Sequence, residues 1–442
     1  MTTTAPAWVK DAIWWQVYPL GFVGAEREAA PDQPVVHRLA HLVGWLEHAV
    51  ELGPSGLALG PVFASETHGY DTTDHLRVDP RLGDEADLDA LIAACHERGL
   101  RVLLDGVFNH VGRGHPAFRA VLEQGPDAPT ASWFRLRWPD GEWRPGTEPE
   151  YDDFEGHSAL VALDHDEPAV ADHVVEVMTH WLDRGVDGWR LDAAYAVPTS
   201  FWVGVADRVR ERHPGAYLMG EVIHGDYAGF VAGSRLDAVT QYELWKAVWS
   251  SLNDANFFEL DAALARHGSF LESFVPYTFL GNHDVTRIAS RLTDERHLAH
   301  ALVVLLTTGG TPAVDAGDEH AFRGMKEDRA GGDDAVRPPF PASPGELSPL
   351  GLPTYALHQE LIGLRRRHRW LHTARTTTLH LTNEQLAYEA VGDGQRLVVA
   401  LSEGERPVEV PVKGAGRVLA GEAEVAGGRV RLPAHGWAVL EG

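Results

Sequence analysis

Gly188-Trp189-Arg190-Leu191-Asp192-Ala193-Ala194 is the stretch on which the fold of this chain turns. Trp181, Leu182 and Val186 lead into it as an apolar, amphipathic run, and the strand that follows carries Arg190 and Asp192 two residues apart. Alternate residues of a strand point to the same side, so the guanidinium and the carboxylate emerge together. A fixed cation favours the ionised form of a neighbouring carboxylate, which keeps it available as a nucleophile at neutral pH. Taken alone, the pair reads equally well as an ion pair that pins a loop. Its surroundings separate the two readings.

On both sides of this stretch, short apolar runs alternate with longer helical patterns, as in parallel α/β folds. Strands are expected at Ile13–Tyr18, Gly56–Val62, Arg101–Phe108, Val186–Asp192, Ala216–Glu221, Leu236–Tyr242 and Ser273–Gly281, with a last one inside Val303–Val314. Helices are expected at Val35–Leu52, Ala86–Arg98, Val170–Arg184, Phe201–Arg212, from Tyr242 to about His267, around His297–Leu302 and at Leu357–Arg367. Eight strand–helix units predict a (β/α)8 TIM barrel. The loop-rich stretch after His110, with Pro126, Pro129, Pro139, Pro145 and Pro149 and three tryptophans among its residues, is too long for an ordinary βα loop and reads as a small inserted domain. A second irregular stretch, 323–353, follows the eighth strand. From about Ala374, short strands separated by Asn-Glu, Gly-Asp-Gly and Gly-Gly turns indicate an all-β module. The expected organisation is therefore a catalytic barrel over 1–110 and 166–373, a small domain B over 111–165 and a C-terminal β-sandwich over 374–442.

The 442 residues carry a net charge of −26, which disfavours nucleic acid and anionic membrane as partners and suits a neutral one. The single cysteine, Cys95, excludes an intrachain disulfide framework or multi-cysteine zinc site. Met1-Thr-Thr-Thr-Ala-Pro has neither a charged nor an apolar leader segment, and a cytoplasmic setting is expected. His297 and His300 share a helix face that reads as solvated, and Arg365–Arg369 reads as charge suited to a helix C-terminus.

Polar residues gather at the ends of the expected strands. The third ends Asp105-Gly-Val-Phe-Asn109-His110, the fourth Arg190-Leu-Asp192, the fifth Gly220-Glu221, and the seventh Gly281-Asn282-His283-Asp284; His68-Gly-Tyr70-Asp71-Thr-Thr-Asp74 follows the second. In a barrel these ends converge on one bowl, so three carboxylates, two histidines and an arginine meet there as an active site.

These motifs, in this order, resemble the conserved regions of the α-amylase family, glycoside hydrolase family 13; Trp14-Trp-Gln-Val-Tyr-Pro and Gly309-Gly-Thr-Pro-Ala resemble it too. The resemblance implies that Asp192 is the nucleophile of a retaining glycosidase, Glu221 the general acid and then base, and Asp284 the stabiliser of the transition state. It implies substrate contacts from Tyr70, as a stacking platform, and from His110, Arg190 and His283, with Asp105 organising Arg190. No cofactor is required by this reading. A structural calcium would sit at Asn109 and Asp164, although Asn109 serves equally as a strand-end hydrogen-bonder.

Three departures narrow the inference. Thr67 stands where exo-acting relatives often carry an acid. Asp315 replaces an aromatic of many relatives. Tyr195-Ala196 replaces a Lys-His pair of α-amylases. The expected activity is hydrolysis of maltooligosaccharides or cyclodextrins, with a glucosyltransferase or isomerase on the same scaffold as the alternative. A barrel kept only for binding typically lacks the catalytic acids, and here all three stand.

Overall fold

The computed structural model describes residues 5–30, 32–329 and 331–442. Met1–Thr4, on which the reading of the amino terminus partly rests, lie outside the described residues.

Eight parallel strands build the barrel: β1 (Trp14–Val17), β2 (Gly56–Leu59), β3 (Arg101–Gly106), β4 (Gly188–Leu191), β5 (Tyr217–Gly220), β6 (Ala238–Val239), β7 (Tyr277–Phe279) and β8 (Thr311–Asp315). They pair in the order β6-β5-β4-β3-β2-β1-β8-β7, and a parallel bridge from Thr240 to Tyr277 joins the two ends. The strands are short. Their pleat sorts side chains into two cores: Trp14, Leu103, Tyr217, Met219, Phe279 and Ala313 fill the interior, whereas Trp15, Val17, Leu104, Trp189 and Leu191 face the surrounding helices. Gly56 is needed beside Trp14, because a Cβ there would lie 2.4 Å from the indole.

Helix Pro168–Asp183 shows how the helices are held. Proline at its first position suits a helix start, the Glu167 side chain caps it through Ala169 N, and Val170, Val174, Val177, Met178 and Trp181 are buried. Other boundaries differ from expectation. Val35–Leu52 forms two helices, Leu39–Val43 and Leu46–Leu52, interrupted at Gly44-Trp45. The apolar run after Val303 stays helical to Thr307 before β8 begins, because a continuous apolar run has no period to separate buried helix from buried strand.

Between β3 and helix Pro168–Asp183 lies an antiparallel sheet of His110–Gly112, His157–Ala162 and Asp153–Phe154, together with helix Pro116–Gln124. The C-terminal module contains β9 (Arg375–Leu381), β10 (Gln385–Gly392), β11 (Gln395–Ser402), β12 (Val408–Pro411), β13 (Val418–Gly421), β14 (Glu424–Ala426), β15 (Arg429–Leu432) and β16 (Trp437–Glu441). The sequence pattern predicts strands at Thr377–Leu381, Leu386–Val391, Leu397–Leu401, Val408–Val412, Arg417–Leu419 and Arg429–Leu432, which correspond to all of these but β14 and β16. A five-stranded and a three-stranded antiparallel sheet enclose Ala387, Val398, Val410, Val430 and Leu440. Leu386, Tyr388, Val399 and Leu401 use the other face to join the barrel's outer core.

The fold corrects two surface assignments. His297 and His300 are buried, with His300 Nε2 3.0 Å from Ser402 O and His297 Nε2 2.9 Å from His435 Nδ1. Arg365 is buried too, donating to the carbonyls of Leu306, Thr308 and Gly310 at 3.1, 2.8 and 2.6 Å. It organises the turn into β8, and does more than complement a helix dipole.

Candidate active site

Arg190 is the centre of the bowl. It points inward from β4 with Asp192 beside it, as the strand period requires. Its Nη1 donates to Asp105 Oδ1 and Oδ2 at 2.7 and 2.6 Å and to Asp192 Oδ1 at 3.1 Å. Its Nη2 lies 2.8 Å from Glu221 Oε1 and 4.0 Å from Asp284 Oδ2. One guanidinium thus faces four carboxylates. Glu221 also accepts from the Tyr242 hydroxyl at 3.1 Å and from Ala193 N at 3.2 Å.

This sharing changes the electrostatics expected for a simple Arg–Asp pair. Burial pushes the Asp192 carboxyl well above the usual carboxylate range; Arg190 pulls it back, while the charges of Glu221, Asp105 and Asp284 raise it again. A like-charged cluster of this kind favours retaining a proton. Asp284 behaves oppositely. Burial opposes its charge, but His283, Arg337 and Arg190 outweigh burial and hold it well below the usual range.

A relay orients His283. The Tyr277 hydroxyl donates to Gln16 Oε1 at 3.2 Å, which leaves the Gln16 amide to face His283 Nδ1 at 3.0 Å. His283 Nε2 then meets Asp284 Oδ2 at 3.0 Å and the Tyr70 hydroxyl. The Tyr70 ring stacks on His283 at 5.7 Å, and its hydroxyl reaches Asp105 at 3.2 Å. His110 is engaged on both nitrogens, by Tyr70 O and Asn109 Nδ2, each at 3.1 Å. Burial pushes it down to about 4, so it is neutral at physiological pH. Tyr70, His110, Asp192, Glu221 and Asp284 line one open cleft of about 1170 Å³, so the structure brings together the residues that the strand ends suggested.

Sequence reasoning missed several groups. Arg337 donates to His283 O at 2.8 Å and Asp284 Oδ1 at 2.7 Å, and its guanidinium lies 4.5 Å from the Tyr18 ring. It belongs to the irregular stretch after β8, where no periodicity marks it. Arg287 fixes that stretch by donating to Val336 O at 2.8 Å, and Gly21 lets it approach, since a Cβ there would lie 2.5 Å from Arg337 O. Tyr242 and Asn282, which hydrogen-bond each other at 3.0 Å, stand beside Glu221 and were visible only as strand-end residues. Asp315 is buried against Arg287 at 3.3 Å. Thr67 donates to Asp71 through both its N–H and its hydroxyl.

The calcium expectation meets a cation already in place. Asp164 Oδ1 accepts from Arg135 Nε and Nη2 at 3.1 and 3.0 Å, and the same Nη2 donates to Asp166 at 2.8 Å. Calcium needs several free oxygen ligands, so the residues present do not fit that ion. His75, His115 and His173 also lie close together. Both nitrogens of His75 are engaged, by Val107 O at 2.9 Å and by His173 Nε2 at 3.3 Å, and His115 Nδ1 accepts from Ala117 N at 3.2 Å.

The sequence signature described as "Alpha amylase, catalytic domain" matches residues 16–339. The chain is 31% identical over 426 residues to a cyclomaltodextrinase of a Bacillus species, covering 90% of this chain and 73% of that protein. The debranching enzyme of Nostoc punctiforme is structurally similar, with a TM-score of 0.84, 25% identity and coverage of 100% of both chains. The cyclic α-maltosyl-(1→6)-maltose hydrolase of Arthrobacter globiformis matches with a TM-score of 0.83 and 25% identity, covering 99% of this chain and 100% of that one. A signature spanning most of the chain, on a barrel whose strand ends gather three carboxylates, places this protein in the α-amylase family, as a glycoside hydrolase.

Proposed function

We propose that the protein is a retaining α-glycoside hydrolase of short α-1,4-linked glucans, namely maltooligosaccharides and cyclodextrins. The observation that carries this reading is the shared guanidinium: Asp192 and Glu221 bind the two terminal nitrogens of Arg190, at 3.1 and 2.8 Å. Carboxyls clamped on one planar fork stay close, and a retaining mechanism needs them roughly 5–5.5 Å apart.

In this mechanism the one proton that the Asp192–Glu221 pair retains sits on Glu221. Asp192, ionised beside Arg190, attacks the anomeric carbon as the bond to the leaving oxygen breaks, and Glu221 gives its proton to that oxygen. Glu221 then takes a proton from water, whose oxygen displaces Asp192. Asp284, held ionised by His283 and Arg337, faces the positive charge that develops on the sugar ring. Tyr70 supports the ring from below. Arg190 keeps both reacting carboxyls in place, with Asp105 fixing Arg190. The Arg135–Asp164 pair supports action without bound calcium.

The similar proteins include a cyclomaltodextrinase and a hydrolase named for a cyclic maltosyl-(1→6)-maltose, so linkage preference is to be measured. Among the described residues no helix is long and apolar enough to cross a membrane. With one cysteine the chain has no disulfide framework, which suits a reducing, cytoplasmic setting.

Incubation with maltotetraose, β-cyclodextrin and pullulan, followed by product NMR, tests the proposal. The first product is expected as the α-anomer, and Asp192→Asn is expected to abolish turnover with an unchanged melting temperature. First formation of the β-anomer, or turnover persisting in the variant, would refute it. Longer oligosaccharides accumulating instead of shorter ones would mark capture of the intermediate by a sugar hydroxyl, which is transferase behaviour.

A further inference from the structure

The hairpin beside the cleft holds a residue in a conformation its type disfavours. Asp153–Phe154 returns into His157–Ala162 with Phe154 opposite His157, so Glu155 and Gly156 form the turn. Their φ angles are +54° and +84°. Hairpin turns with positive φ at both central positions favour Asn-Gly or Asp-Gly, and glutamate in the left-handed region is uncommon. Such strain persists where surrounding contacts hold it, and it clusters at functional sites.

The conformation has a structural consequence. Glu155 Oε1 accepts a hydrogen bond from the Tyr195 hydroxyl at 2.6 Å. Tyr195 lies three residues beyond Asp192, and its N–H meets Glu221 O at 3.3 Å. The base of the hairpin is fixed at the cleft, where Phe154 stacks on His110 at 4.8 Å. In the glucan-hydrolase reading above, the reacting sugar lies over Tyr70 beside Asp284 and the leaving group extends past the proton donor Glu221; Tyr195 lines the same cleft as these residues. Phe154, Glu155 and Tyr195 also border a second pocket of about 840 Å³ that includes Asn109, Arg135 and Asp152.

We propose that the Tyr195–Glu155 hydrogen bond is a bar across the leaving-group side of the cleft. It limits the length of glucan accepted there, and the second pocket receives the longer leaving chains once the bar is gone. This inference rests on the glucan-hydrolase reading above. It assigns specificity to two residues that take no part in bond cleavage.

The test is the cleavage pattern of maltoheptaose labelled at its reducing end, with the full-length protein. In Tyr195→Phe and Glu155→Asn, the ratio of long to short labelled products should rise about fivefold over wild type. Asparagine suits the turn, so Glu155→Asn should fold with an equal or higher melting temperature. Glu155→Gln keeps an acceptor oxygen and should retain the wild-type pattern. An unchanged ratio in both barless variants would overturn the bar, and so would Glu155→Gln behaving like Glu155→Asn. No cleavage by the wild type would instead overturn the glucan-hydrolase reading itself.

Discussion

Replacing Arg190 with lysine separates the charge of the central cation from its shape. Arginine spans the cluster because Nη1 serves Asp105 and Asp192 while Nη2 serves Glu221. Lysine keeps the charge but presents its donors from one point on a single ammonium. An ammonium placed at Asp105 leaves either Asp192 or Glu221 without its partner. Hydrogen bonds to charged groups are worth about 1.5–3 kcal/mol. If that is lost from the transition state, kcat on maltotetraose should fall by about 10- to 150-fold. Arg190→Met also removes the charge among buried carboxylates, where breaking a pair costs about 3–5 kcal/mol. That variant should therefore lose stability as well as activity, measured by urea unfolding. The decisive comparison is kcat for Arg190→Lys alongside its melting temperature. A folded variant within threefold of wild-type kcat would show that the bridge across the two carboxyls is dispensable, and the mechanism drawn from it would fail.

Two further predictions concern stability. Burial pushes His110, His115, His267, His300 and His372 down to about 4. Their folded values lie below the unfolded value of about 6.5, so the unfolded chain binds more protons between these limits and stability is lost as pH falls through that window. Glu403, raised by burial to about 8, and Asp318, raised to about 6, oppose this because they hold protons in the folded state. The lowered histidines outnumber the raised carboxyls, so the urea midpoint should fall from pH 7 to 5.5; a midpoint that stays flat or rises would contradict it. The Arg135–Asp164 pair predicts that EDTA leaves the melting temperature unchanged, whereas Arg135→Ala lowers it and makes it respond to added calcium. A wild-type melting temperature that drops with EDTA and recovers with calcium would refute the fit.

The sequence by itself determined the barrel and the ring of acids at its rim. Strand period places Arg190 and Asp192 on one side, and short strands alternating with amphipathic helices leave few other architectures. Both signals are local, since each is written within a few residues of chain. The surroundings of those acids were not legible. Gln16, Tyr242 and Arg337 come from separate parts of the chain, and only barrel closure sets Gln16 against His283, 267 residues away. The burial of His297, His300 and Arg365 was likewise hidden, because a helix face looks solvated until the β module packs on it or a turn is built around it. The same holds for charge. Arg190 beside Asp192 predicts an ionised nucleophile, yet in the fold that guanidinium is divided among Asp105, Asp192, Glu221 and Asp284. Side-chain direction follows from backbone period and can be read along the chain, whereas electrostatic potential sums over every neighbour in space, and only the tertiary structure supplies those neighbours.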